Sequence, residues 1–122
     1  MILIISTLNR YDFSLGLFDD QLIMETFDTQ DQSQDLLPQI DLFLKNNKIT
    51  LQDLTAIFVD LGPGSYTGIR VGVTIANTLA WSLNIPVYGF KTEELKKSLV
   101  ETKISDNFTH PVLPLYQDKK MI

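Results

Sequence analysis

The sequence predicts an α/β fold, a mixed sheet with helices packed on it. Two observations carry that expectation. Three short apolar segments near the start are separated only by tight polar turns, which makes an antiparallel meander. After them, apolar stripes at helical spacing alternate with short buried strands, the pattern of strand–helix–strand crossovers. The chain has 122 residues, one domain's worth. Its hydrophobic share of 44% against 20% charged supports a packed core rather than disorder.

Residues 2–7 read as a fully buried strand, and Asn9-Arg10 as a turn. Residues 12–18 form the second strand, with Phe13, Leu15 and Leu17 on one face. Asp19-Asp20 is a tight turn and 21–27 the third strand. Residues 28–35 are polar. A helix over 36–46 follows, with Leu36, Leu37, Ile40, Phe43 and Leu44 as its apolar stripe. Pro38 sits near its first turn or kinks it, and Asn46-Asn47 supplies the stop. Thr50 and Asp53 have capping-box spacing.

Residues 56–59 are a short buried strand running into Asp60-Leu61-Gly62-Pro63-Gly64-Ser65, where two glycines and a proline force a turn. A second long helix covers 66–83. Residues 85–90 are a strand with Pro86 at its start. Thr92 caps a third helix at 93–100. Residues 105–110 are loop, 112–116 one more strand and 119–122 a tail. This order matches a single ribonuclease-H-like, actin-type (ASKHA) lobe with a mixed five-stranded sheet. Residues 1–110 form that lobe. Residues 111–122 are a remnant strand and tail, where a second lobe would begin.

Composition excludes several functions. The net charge of −5 opposes a primary nucleic-acid role, which needs clustered Lys and Arg; Lys96-Lys97 and Lys119-Lys120 are only short pairs. With no cysteine there is no disulfide, thiolate metal site or thiol nucleophile. The apolar start lacks a basic leader and a cleavage site, and no run approaches a membrane span of about 20 residues. A cytoplasmic protein without membrane contact is expected. His110 is the single histidine, so two-histidine metal motifs are excluded. Ser65 resembles a nucleophile elbow, but Thr67 replaces its last glycine. Asp12, Asp19, Asp20 and Asp60 do not form the acid set of a two-metal nuclease. No metal, cofactor or catalytic residue is expected.

The segment 62–80 holds the most information. Its glycines could bring an anion to free backbone N–H groups at a helix start, which makes Gly62, Gly64, Ser65 and Thr67 candidate anion-binding residues. Against this, no Gly-Lys-Ser/Thr ending follows and Asp60 precedes the turn. Gly68, Gly72, Ala76 and Ala80 recur every fourth residue, so they share a helix face that another backbone can approach closely. Two readings stand: packing on the chain's own sheet, or contact with a second subunit. The interface candidates are Leu36, Leu37, Ile40, Phe43, Leu44, Gly68, Arg70, Gly72, Val73, Ala76 and Ala80. On the interface reading, a leucine at Gly72 harms association far more than folding. Arg70 pairs locally with Asp60 or meets an acidic partner, with the local pair favoured.

The run Gly62-Pro63-Gly64-Ser65-Tyr66-Thr67-Gly68-Ile69-Arg70-Val71-Gly72, preceded by the strand through Phe58 and Leu61, resembles the signature of the TsaB (YeaZ) family. Ala76, Leu79-Ala80, Asn84-Ile85-Pro86-Val87 and Gly89 continue it. Tyr66 stands where the family usually has phenylalanine. The resemblance implies a non-catalytic scaffold subunit that binds a TsaD-like threonylcarbamoyltransferase for tRNA threonylcarbamoyladenosine modification. It implies a homodimer, a TsaD-like partner or both, with a TsaE-like ATPase reached through the complex and no direct nucleic-acid contact. The helices 36–46 and 66–83 would form the interface. Ser6 replaces the acid usually ending the first strand, Gln32 stands where a histidine is common, and the second lobe is missing. The alternative is a nucleotide-binding actin-type domain or an enzyme using the turn at residues 62–68.

Overall fold

The computed structural model describes the backbone of residues 1–104 and the side chains of residues 1–100. The expected loop, strand and tail beyond residue 104, with His110 and Lys119-Lys120, lie outside the described residues. So does the proposed boundary near residue 110.

The strands are β1 (Ile2–Ser6), β2 (Asp12–Phe18), β3 (Leu22–Asp28), β4 (Ala56–Asp60) and β5 (Val87–Phe90). The helices are α1 (Gln32–Asn46), α2 (Tyr66–Leu83) and α3 (Leu95–Ile104). The strands make one sheet in the order β3-β2-β1-β4-β5. β1, β2 and β3 are antiparallel neighbours, while β1–β4 and β4–β5 are parallel. The meander and both crossovers are therefore present. α1 lies in the connection to β4, and α2 in the one from β4 to β5.

Side chains alternate across a strand, and the two faces hold separate cores. Leu3 and Ile5 of β1, Leu15 of β2 and Ile57 and Val59 of β4 face the buried residues of α1 and α2. Ile2, Ile4, Ala56 and Phe58 face the other way, with Phe90 and Leu99 of α3. β1 and β4 are buried on both faces, which is why they read as unbroken apolar runs. Burial beside Phe58, whose ring centre lies 5.4 Å from its own, raises the Tyr88 phenol above its ordinary value.

α1 starts earlier than its apolar stripe suggests. Asp31 is the N-cap and accepts from the Ser33 N–H at 3.1 Å and the Ser33 hydroxyl at 2.6 Å. These bonds, the hydroxyl first, hold its carboxyl below the usual aspartate range. The buried Gln32 amide donates to the Asn9 and Asp12 carbonyls, pinning the helix start to the β1–β2 turn. Pro38 falls well past the first turn, on the exposed side, where water can meet the carbonyl its missing N–H leaves free. The capping box at Thr50 and Asp53 is present around a single 3-10 turn. Two bonds from Thr50 lower the Asp53 carboxyl too. After β5, Thr92–Glu94 is another such turn, so α3 starts at Leu95 rather than at 93.

Candidate interaction surface

β4 ends on Asp60, which is 2% exposed. Its carboxylate accepts from the Ser6 hydroxyl at 2.9 Å, the Gly62 N–H at 2.9 Å and the Thr92 hydroxyl at 2.7 Å. Three segments are thereby tied at one point: the end of β1, the turn into α2 and the residues after β5. Arg70 is not its partner. The expected Arg70–Asp60 pair is corrected here, because Asp60 points into the sheet end while Arg70 lies on the outer side of α2.

The turn that follows uses several of its donors internally. The Gly62 N–H is held by Asp60, the Ser65 N–H donates to the Leu8 carbonyl at 2.7 Å, and the Ser65 hydroxyl accepts from the Gly68 N–H at 3.2 Å. The Ile69 N–H donates to the Ser65 carbonyl at 2.9 Å. Gly62 has φ +94, a conformation that glycine adopts without strain. A Cβ on Gly64 would come within 2.8 Å of the Leu8 Cβ. Of the candidate anion-binding residues, Gly62 and Ser65 are thus engaged and Gly64 lies against Leu8. Thr67 is exposed on the outer side of α2.

Gly68, Gly72, Ala76 and Ala80 line the inner face of α2, with Ile69 and Val73. Thr7, 0% exposed, fills the space the glycines leave. Its hydroxyl donates to the Gly68 carbonyl at 2.6 Å. A Cβ on Gly68 would overlap the Thr7 carbonyl oxygen, and one on Gly72 would overlap the Thr7 hydroxyl. The close approach signalled by the small residues is made to the lobe's own β1 end. Leu36, Ile40, Phe43 and Leu44 of α1 and Val73 of α2 are buried in the same core. None of these nine is open to a partner in the folded lobe. Of the interface candidates, only Leu37, 50% exposed, and Arg70 reach the surface.

The outer face of α2 carries a different signal. Its exposed positions are Tyr66, Thr67, Arg70, Thr74, Thr78, Trp81 and Ser82. A helix half open to water ordinarily shows charges there, yet Arg70 is the single charged residue in the 18 of α2. The exposed side of α1 has the ordinary pattern, with Asp41 and Lys45 paired at 2.9 Å. Trp81 is 84% exposed and Tyr66 48%. The Arg70 guanidinium lies over the Tyr66 ring, 5.7 Å from its centre. Beside them a groove of about 440 Å³ is lined by Tyr66, Thr67, Arg70, Val71, Thr74 and Ile75, with Ser33 of α1 closing one side. Leu37 is one helical turn along from Ser33. Trp, Tyr and Arg with few acids or lysines is the composition of protein interface centres. Tyr66, Thr74 and Trp81 were not among the sequence candidates, although the scarcity of charge in residues 66–83 is visible in the sequence.

Among the described residues, no group of three or more His, Asp or Glu is placed to hold a metal ion, and no helix is long and apolar enough to cross a membrane.

The family model for TsaD, described as tRNA N6-adenosine threonylcarbamoyltransferase, matches residues 28–117. The chain is 44% identical over 89 residues to the tRNA threonylcarbamoyladenosine biosynthesis protein TsaB of Bacillus subtilis (strain 168), covering 70% of this chain and 38% of that one. Among solved structures it is similar to YeaZ from Pseudomonas aeruginosa, with TM-score 0.67 and 25% identity over 74% of this chain and 44% of that one. It also resembles T. thermophilus RuvC in complex with a Holliday junction substrate, with TM-score 0.52, 14% identity, and 84% and 71% of the two chains covered. That likeness concerns the fold alone, and with the others it makes the lobe ribonuclease-H-like. The chain spans about two-fifths of the length of the TsaB and YeaZ relatives.

Proposed function

Since the chain belongs to the TsaB (YeaZ) family, on the TsaB side of the group that the TsaD model describes, we propose that it is a non-catalytic scaffold subunit in tRNA threonylcarbamoyladenosine biosynthesis. It docks through the outer face of α2 onto a TsaD-type protein. The observation that carries this reading is the exposed side of α2, with Trp81, Tyr66 and one charge where a solvated helix would show several. An α2 of 18 residues is about 27 Å long. Its outer strip alone covers only a few hundred Å², less than the roughly 800 Å² per partner of a stable complex. The α1 edge with Ser33 and Leu37 completes the contact.

The non-catalytic part of the reading is supported by how the polar groups are used. The Ser65 hydroxyl caps α2, and the Ser6 hydroxyl donates to Asp60. Neither is presented to a substrate. The lobe ends near residue 110, and the subunit works where tRNA is modified, in the cytoplasm. Mixing the chain with the TsaD-type protein of the same organism and weighing the mixture by light scattering tests the reading. A complex of the summed mass is expected. Two unchanged monomer masses at tens of micromolar would refute it.

A further inference from the structure

β3 is an end strand of the sheet, and among the described residues nothing pairs with its outer side. The Thr29 N–H donates to the Tyr11 carbonyl at 2.9 Å and the Asp19 N–H to the Gln21 carbonyl at 3.4 Å, both in the β2–β3 register. Hydrogen-bonded pairs alternate with non-bonded ones along an antiparallel ladder. The odd-numbered residues of β3 therefore direct their backbone groups to β2, while Leu22, Met24, Thr26 and Asp28 turn theirs outward. Natural edges ordinarily carry a device that keeps other strands off, such as shortness, a bulge, proline or lysine. β3 has seven residues, an unbroken register with β2, and neither proline nor lysine. Ile23 and Met24, on opposite faces, are 48% and 41% exposed. Charge then selects what can join. Residues 11–44 hold eight acids and no Lys, Arg or His. Glu25 in the middle of β3 and Asp28 at its end are exposed and in no ion pair among the described residues.

We propose that the outer edge of β3 receives an extended, basic segment of another protein as a further strand of the sheet. That segment sets Lys or Arg beside Glu25 and Asp28, and apolar side chains beside Ile23 and Met24. Main-chain bonds to the four outward residues supply the affinity, and the alternate side chains supply the selectivity. A second copy fits this edge poorly. Self-pairing with the fullest overlap is centred on Glu25 and sets the two glutamates opposite each other, and like charges directly opposite are destabilising. An RNA backbone meets the same acids and finds no cation on this strand. The edge is a different surface from the outer face of α2, so pairing here and docking there stand or fall separately.

The test titrates the 122-residue chain into a fluorescein-labelled peptide, Lys-Val-Thr-Lys-Val-Ile-Val, and follows polarisation. Antiparallel to β3, its lysines fall opposite Asp28 and Glu25. Amide hydrogen exchange by NMR locates the contact, and the four outward amides, those of Leu22, Met24, Thr26 and Asp28, should be the ones that slow. Glu25→Lys turns an attraction into a repulsion and weakens binding about fivefold or more. Met24→Pro removes an outward N–H, leaves the ladder to β2 whole and weakens binding about tenfold. If Met24→Pro lowers the unfolding midpoint, Glu25→Lys decides alone, since Glu25 is exposed. Trp81→Ala leaves the affinity unchanged, and a peptide with Glu in place of both lysines does not bind. No binding up to about 1 mM peptide, equal affinity for the lysine and glutamate peptides, or protection of other amides would each overturn the proposal. A loss with Trp81→Ala would put the peptide on α2 and overturn it as well. Slowing of the same four amides by raised chain concentration alone would make a second copy the occupant, again against the proposal.

Discussion

Replacing Gly72 with alanine separates inward packing of α2 from outward display. Taken alone, the change favours the helix by about 1 kcal/mol, because glycine is a poor helix interior residue. In the folded lobe the new Cβ meets Thr7, overlapping its hydroxyl and lying 3.4 Å from Cγ2 and 3.5 Å from Cβ. Thr7 is fully enclosed, so its side chain has nowhere to turn. Displacing the hydroxyl breaks its bond to the Gly68 carbonyl, at a cost of about 1–3 kcal/mol for a buried group left unpaired. Crowding adds about 1–3 kcal/mol. The net expectation is destabilisation of about 3 kcal/mol. Urea unfolding followed by circular dichroism measures it, in the wild-type and Thr7→Ala backgrounds. With the hydroxyl gone, Gly72→Ala costs close to nothing, giving a coupling of about 3 kcal/mol between the two sites. Partner affinity of the folded fraction stays unchanged. Stabilisation by about 1 kcal/mol in both backgrounds would refute the close approach of α2 to Thr7.

Further outcomes follow from the same contacts. Ser65→Ala removes the cap of α2 and costs about 1 kcal/mol in urea unfolding, while partner affinity is kept. Asp60→Ala leaves three donors without their acceptor and costs about 3 kcal/mol or more, read as a fall in the midpoint of the same assay. ATP with magnesium at millimolar concentration leaves the thermal midpoint unchanged; a rise of several degrees would restore the turn at residues 62–68 as a ligand site. Asp31 and Asp53 are both held below the ordinary aspartate value of about 3.9. Their contribution to stability is therefore full above that value and is lost as pH falls through the lower folded-state values. Denaturation curves at a series of acid pH values should show less of this loss in Asp31→Asn, which cannot titrate.

Most of the framework is legible in the residues. The meander, the crossovers and the bounds of α2 follow from local pattern: apolar runs and turn residues. What local pattern does not contain is the bond made at a distance. The polar stretch before Leu36 reads as loop until Gln32 is seen tied to Asn9 and Asp12. Thr7 looks like a strand end, yet it continues the odd-numbered face of β1 onto the glycines of α2. The period of the small residues therefore states that something comes close, without saying that the neighbour is internal. The outer face was legible in another way. An exposed helix almost free of charge is a compositional fact, and it acquires meaning only once Trp81 and Arg70 are known to face outward.

The central claim is that this outer face is the docking surface, and Trp81 is its most direct probe. The side chain is 84% exposed, so truncation removes almost nothing from the fold. Calorimetric titration of the TsaD-type protein with wild type and Trp81→Ala should give an affinity loss of about 30-fold or more, as for an aromatic hot spot, with unchanged unfolding midpoints. Equal affinities for the two forms would contradict the account.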